Sequence, residues 1–151
     1  MIYVGIDPGA SGGMCVITDD SVNIYDFKDS QLNTYIPVLL QLLYTGHPTV
    51  VAVEKVASMT GQGVKSMFSF GQRLGEIHGM LQTLGLDFIE VQPQKWQKYC
   101  GVLPKSGKPG IHAAISKLYP NVQLLGKRGG IMDGRCDALS IAHYLKETHG
   151  K

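Results

Sequence analysis

Apolar positions open the chain in three short runs, Ile2–Asp7, Gly13–Thr18 and Val22–Phe27, parted by turn-forming residues. The connection Asp19-Asp20-Ser21 is short and polar, so the second and third runs predict an antiparallel hairpin. Residues 31–44 change period: Leu32, Ile36, Leu39, Leu40 and Leu43 share one side of a helix that Gly46 and Pro48 end. Thr49–Glu54 is β-branched with little alternation, as in a strand buried on both faces. A Gly- and Ser-containing loop (57–63) precedes the longest helical signal, Val64 to Leu84. A last strand, Phe88–Val91, leads to Pro93 at a helix start. A Gly-, Pro- and Lys-rich loop (101–110), short helical pieces, a basic loop (126–130) and a final helix, Asp133 to Lys146, complete the chain.

The order βββ-α-β-α-β-α-α predicts an α/β fold: a mixed five-stranded sheet, three strands antiparallel and two parallel, with helices on both faces. On the long helix, Met67, Phe70, Leu74, Ile77, Leu81 and Leu84 alternate spacings of three and four, a narrow seam. Gly71, Gly75 and Gly79 form a row beside it, and Phe68 and Met80 add apolar surface outside it. Two readings stand: the helix packs flat on its own sheet, or it also meets a symmetry mate in a C2 dimer.

With 151 residues, 44% hydrophobic and 17% charged, the chain reads as one domain spanning 1–151, long enough for a proper core. No apolar run reaches the roughly 20 residues of a membrane span. The N-terminal stretch lacks the pattern of a signal peptide, and Cys15, Cys100 and Cys136 show no metal-type spacing. Free thiols in a reducing cytoplasm are expected.

Charge changes the picture more. Residues 1–54 carry six acids against one base, Lys28, whereas residues 91–132 contain no Asp or Glu. That second segment holds Lys95, Lys98, Lys105, Lys108, Lys117, Lys127 and Arg128. Solvated lysines explain such a segment taken alone; beside a carboxylate metal site, a phosphate backbone explains it better.

The carboxylates supply that site. Asp7 ends the first strand run before the turn PGASGG, Glu54 ends the fourth, and Asp133 and Asp137 lie one helical turn apart. Two carboxylates about 4 Å apart repel by roughly 4 kcal/mol at an effective dielectric near 20. Packing alone rarely accepts several. A divalent cation removes the cost, and oxygen ligands suit Mg²⁺ or Mn²⁺. For two-ion phosphodiester hydrolysis, Asp7 is the bridging candidate, Glu54 and Asp137 serve one ion each, and Asp133 is either a ligand or an orienting group. The turn DPGASGG also matches the phosphate loop of actin-like ATPases, but those need two such domains and a second loop, for which 151 residues leave no room.

The segments GIDPG, VEKV, FGQRLGEIHGML, VQPQKWQKYCG and DGRCDALSIAHY resemble the RuvC-type Holliday junction resolvases from Asp7 to about His143. The resemblance implies a ribonuclease H-like fold, a homodimer, and Mg²⁺-dependent paired nicking of four-way DNA junctions in a bacterial or phage-infected cell. It assigns metal binding to Asp7, Glu54 and Asp137, junction contacts to Lys95 and Lys108, and a place near DNA to Arg73. Lys98, Lys105, Lys127 and Arg128 of the acid-free segment join that expected DNA surface.

Three positions depart from the family's pattern. Its fourth ligand, three residues before the acid matching Asp137, is Gly134 here, and Asp133 is expected to take that role with altered geometry. Its stacking aromatic is replaced by Ala57, leaving Met59 or Phe68 as substitutes. The shortened early region looks phage-type, so docking to a branch-migration motor is not implied. Rival readings are a less selective ribonuclease H-fold nuclease acting on RNA–DNA hybrids or flaps, and a junction-binding protein with weak catalysis. Trp96 is expected as a buried anchor rather than a base-stacking group, His143 as structural and Cys136 as core packing, while His112 reads either as a group near phosphate or as a surface histidine.

Overall fold

A computed structural model describes residues 1–56 and 61–150. The strands are β1 (Ile2–Asp7), β2 (Gly13–Ile17), β3 (Val22–Tyr25), β4 (Thr49–Glu54) and β5 (Phe88–Val91). The helices are α1 (Gln31–Tyr44), α2 (Val64–Thr83), α3 (Pro93–Tyr99), α4 (Gly107–Leu118) and α5 (Asp133–His149). The sheet runs β3-β2-β1-β4-β5, with β1–β2 and β2–β3 antiparallel and β1–β4 and β4–β5 parallel. This is the mixed five-stranded sheet that the sequence order predicts.

Period-2 alternation sorts the central strands between two cores. Ile2, Val4 and Ile6 of β1, with Val51 and Val53 of β4, pack with Tyr35 and Leu39 of α1 and Ile77, Met80 and Leu81 of α2. Tyr3 and Ala52 face the other way, against Trp96, Ile115 and the apolar side of α5. Asp7 and Glu54 follow the second parity, so both acids emerge on the α5 face. The β1–β4 register ends with Ile6 opposite Val53, and Asp7 and Glu54 are the residues that follow each.

Gly5 sets how close α5 lies. A Cβ there would collide with the Ala138 carbonyl and the Ala142 nitrogen, so the helix backbone rests directly on β1. Ala138, Leu139, Ile141, Ala142 and Leu145 of α5 are each fully buried.

Several local expectations change. The segment read as a loop to Gly110 turns helical at Gly107, and α4 is one twelve-residue helix. Pro109 is tolerated because the first turn's N–H groups have no intrahelical partner. Lys105 and Gly107 adopt left-handed backbone, φ 59° and 63°, just before that turn. Met80, read as lying outside the α2 seam, is buried, while the seam's first member, Met67, is 36% exposed. The far half of α2 therefore packs on its own sheet. The Gly71–Gly75–Gly79 row faces outward, with nothing within 4 Å of a Cβ at any of the three. Ala57 and Met59 lie outside the described residues.

Candidate metal centre

Three of the four carboxylates converge. Asp7, Glu54 and Asp137 each offer an oxygen within 4.8 Å of the other two. Adjacent parallel strand ends supply the first two, and the α5 backbone lying on Gly5 carries the third to them. The Gly9 N–H donates to Asp7 Oδ1 at 3.0 Å, fixing the carboxylate within its own turn. Glu54 Oε2 is buried and has no hydrogen-bond partner.

Burial and mutual repulsion act together on the cluster. Desolvation, then the charge of Asp7, pushes Glu54 up to about 7. Desolvation followed by Asp7, Glu54 and Asp133 pushes Asp137 up to about 8, against an opposing pull from Lys108. Asp7 is raised by desolvation and by Asp133, with the Gly9 N–H working the other way. Without a cation the cluster retains protons near neutrality. Closely spaced oxygens, an orphaned buried carboxylate oxygen and no sulfur or imidazole donor fit a hard divalent cation.

Asp133 stands apart from this group. It opens α5, and its Oδ2 accepts from Lys108 Nζ at 2.8 Å. Gly134, three residues before Asp137, is buried against the β1–β2 turn, where a Cβ would collide with the Ser11 carbonyl oxygen. The backbone excludes any side chain there.

The basic residues occupy several elements. Lys95 and Lys98 are exposed on α3, with Lys95 Nζ 5.9 Å from the Tyr144 ring centre. Lys105 is exposed in the left-handed turn before α4, and Lys108 lies in the first turn of that helix. Lys127 and Arg128 are exposed at the tip of a hairpin closed by a Leu125–Ile131 bridge, a few residues before Asp133. Arg73 belongs to α2, across the sheet from α5, with its guanidinium 6.0 Å from the Phe70 ring centre.

Arg135 escaped the sequence reading. Its Nε and Nη2 donate to Asp26 at 2.6–3.1 Å, and Nη1 donates to the Gln123 carbonyl at 2.9 Å. It thereby ties the start of α5 to the segment after β3 and to the base of the basic hairpin. A partner 109 residues away leaves no local signal. Trp96 is 1% exposed and Cys136 is buried, as expected of an anchor and of core packing. His143 Nδ1 hydrogen-bonds Tyr119 Oη at 2.8 Å, a structural role.

Crossover junction endodeoxyribonuclease RuvC of Zymomonas mobilis is 24% identical over 99% of this chain and 95% of its own. The chain is RuvC-like in sequence and in fold. Thermus thermophilus RuvC in complex with a Holliday junction substrate superposes with a TM-score of 0.66 at 17% identity, covering 97% of this chain and 95% of that one. A second structure of Thermus thermophilus RuvC gives 0.62 at 17% identity over 99% and 97% of the two chains. No protein-family model matches the chain. Among the described residues, no helix is long and apolar enough to cross a membrane.

Proposed function

We propose that residues 1–151 form one metal-dependent endonuclease domain that resolves four-way and related branched DNA junctions by paired nicks, acting in the cytoplasm as a homodimer. The carrying observation is the convergence of Asp7, Glu54 and Asp137 in a RuvC-like fold whose sequence similarity to a junction endonuclease runs the full length.

In this reading Asp7, Glu54 and Asp137 hold Mg²⁺, for which Mn²⁺ substitutes. Two bound ions would supply activation of the attacking water and neutralisation of charge at the leaving oxygen. The protein's own residues prepare that chemistry. Asp7, fixed through one oxygen by the Gly9 N–H, would offer the cations a carboxylate that is already oriented. Glu54 and Asp137 contribute one ion-facing carboxylate each, and both must lose their protons before they bind.

Lys95, Lys98, Lys105, Lys108, Lys127 and Arg128, with Arg73 from α2, contact the phosphate backbone and set register without reading sequence. Phe68, 75% exposed on the first turns of α2, is the described residue available to stack at the junction centre. A second copy packs on the outward glycine row of α2, duplicating the site for the opposed strand.

The test is a synthetic four-way junction incubated with Mg²⁺. Cleavage that stops with EDTA and with Asp137→Asn supports this function; cleavage that survives both removes the metal centre from the account.

A further inference from the structure

Asp133 and Lys108 form an ion pair at the rim of the carboxylate cluster, Nζ to Oδ2 at 2.8 Å. Lys108 comes from the first turn of α4 and Asp133 from the first turn of α5, so the pair joins the N-terminal ends of two helices that also pack together in the core. Asp133 acts electrostatically on both Asp7 and Asp137. It nevertheless lies outside the three whose oxygens converge within 4.8 Å. The neighbouring position is closed to any ligand by the backbone contact of Gly134 with Ser11. Outside the three, Asp133 is the carboxylate that acts on the cluster and so the one placed to supply a fourth ligand, and in the DNA-free protein Lys108 engages it.

The pair is exposed, with Lys108 73% and Asp133 34% accessible. An ion pair so placed is weak and exchanges readily for another partner. A phosphate is a stronger partner for an ammonium group that already reaches the site. We infer that Lys108 and Asp133 form a substrate-operated latch: a backbone phosphate takes Lys108, and the released Asp133 joins Asp7, Glu54 and Asp137 as a fourth cation ligand. Asp133 is thus a conditional ligand and Lys108 the residue that positions it. The inference rests on the metal-dependent nuclease reading and specifies how its centre is completed. It also couples cation affinity to DNA occupancy, and the coupling is reciprocal.

The test is a thermodynamic cycle in Mn²⁺ affinity, measured without nucleic acid by electron paramagnetic resonance of free Mn²⁺. Lys108→Gln should tighten Mn²⁺ binding by about fivefold, because Asp133 is then free. Asp133→Asn alone should leave affinity within about twofold of the wild type, and Lys108→Gln added to Asp133→Asn should change it by less than about twofold. If Lys108→Gln tightens binding equally in both backgrounds, the effect is the loss of a nearby positive charge and the latch is overturned. It is also overturned if Asp133→Asn alone weakens binding about fivefold, since Asp133 would then be a ligand in the free protein.

A second arm uses Ca²⁺ calorimetry with and without a four-way junction, each sample checked for uncut DNA. The junction should raise Ca²⁺ affinity more in the wild type than in Lys108→Gln; an equal rise contradicts the latch. The Mn²⁺ cycle contains no DNA, so it can fail while junction cleavage stands. Its success with no junction cleavage would count against the nuclease reading alone.

Discussion

Gly134 lies so close to Ser11 that a Cβ at 134 would collide with the Ser11 carbonyl oxygen and come within 2.7 Å of the Gly12 carbonyl carbon. The start of α5 is thereby seated on the turn that follows Asp7. Asp137, one turn further along the same helix, takes its place beside Asp7 and Glu54 through that seating and through the contact at Gly5.

Substitution at this contact has no flexible neighbour to displace, because both opposing groups are backbone. Gly134→Ala should destabilise the protein by about 2 kcal/mol or more, read from denaturant midpoints. Gly134→Asp should do the same without tightening Mn²⁺ binding. A stable Gly134→Asp variant with tighter Mn²⁺ binding would show that the site can hold a ligand there.

The pH dependence of the metal-free protein follows from the raised carboxyls. Glu54, held near 7, and Asp137, held near 8, keep protons that the unfolded chain has already released above about pH 4. Between roughly pH 4 and 8 the folded state binds more protons, so stability falls as pH rises through that window. In EDTA the melting temperature should drop by more than about 3 °C between pH 5.5 and 8.5, the equivalent of about 1 kcal/mol at this size. Mg²⁺ should restore more of it at the higher pH, since it binds the deprotonated forms. A flat EDTA profile would show that the carboxyls are not held up.

Asp7→Asn removes a cation ligand and one negative charge facing DNA. Cutting should fall at least about a thousandfold, while junction affinity measured by gel shift in EDTA stays equal or improves. Loss of affinity in that variant would mean that Asp7 organises the DNA surface rather than the metal.

Much of this centre was legible in the sequence, and the limits are physical. The parity of Tyr3, Gly5 and Asp7 against Ala52 and Glu54 follows from strand period alone, and the glycine turn marks the strand end. Helical spacing could place Asp133 and Asp137 on one face but could not separate their roles. That separation depends on Lys108, which sits in a segment whose Gly107, Pro109 and Gly110 read as loop. Arg135 was invisible for a simpler reason: its partners Asp26 and Gln123 become neighbours only when β3 and the basic hairpin meet α5.

The exposed basic turn before α4 gives a separable prediction. Lys105→Glu should weaken junction binding and lower the slope of log affinity against log salt by about 1 or more. An unchanged slope would take Lys105 out of the interface.

The glycine row of α2 tests the dimer. Within one chain nothing opposes a methyl group at Gly75, so on a free face Gly75→Ala would stabilise by up to about 1 kcal/mol; with a second copy packed there, that gain should be absent. Gly75→Leu should convert a sedimenting dimer to a monomer that still unfolds cooperatively. An unchanged dimer would place the interface elsewhere.

The central claim is tested most directly by substrate choice. A four-way junction, a linear duplex and an RNA–DNA hybrid are each incubated with Mg²⁺, and the cuts are mapped on every strand. Paired, symmetric nicks in opposed strands of the junction, with the other two substrates intact, are the expected result. Preferential cleavage of the hybrid would contradict it.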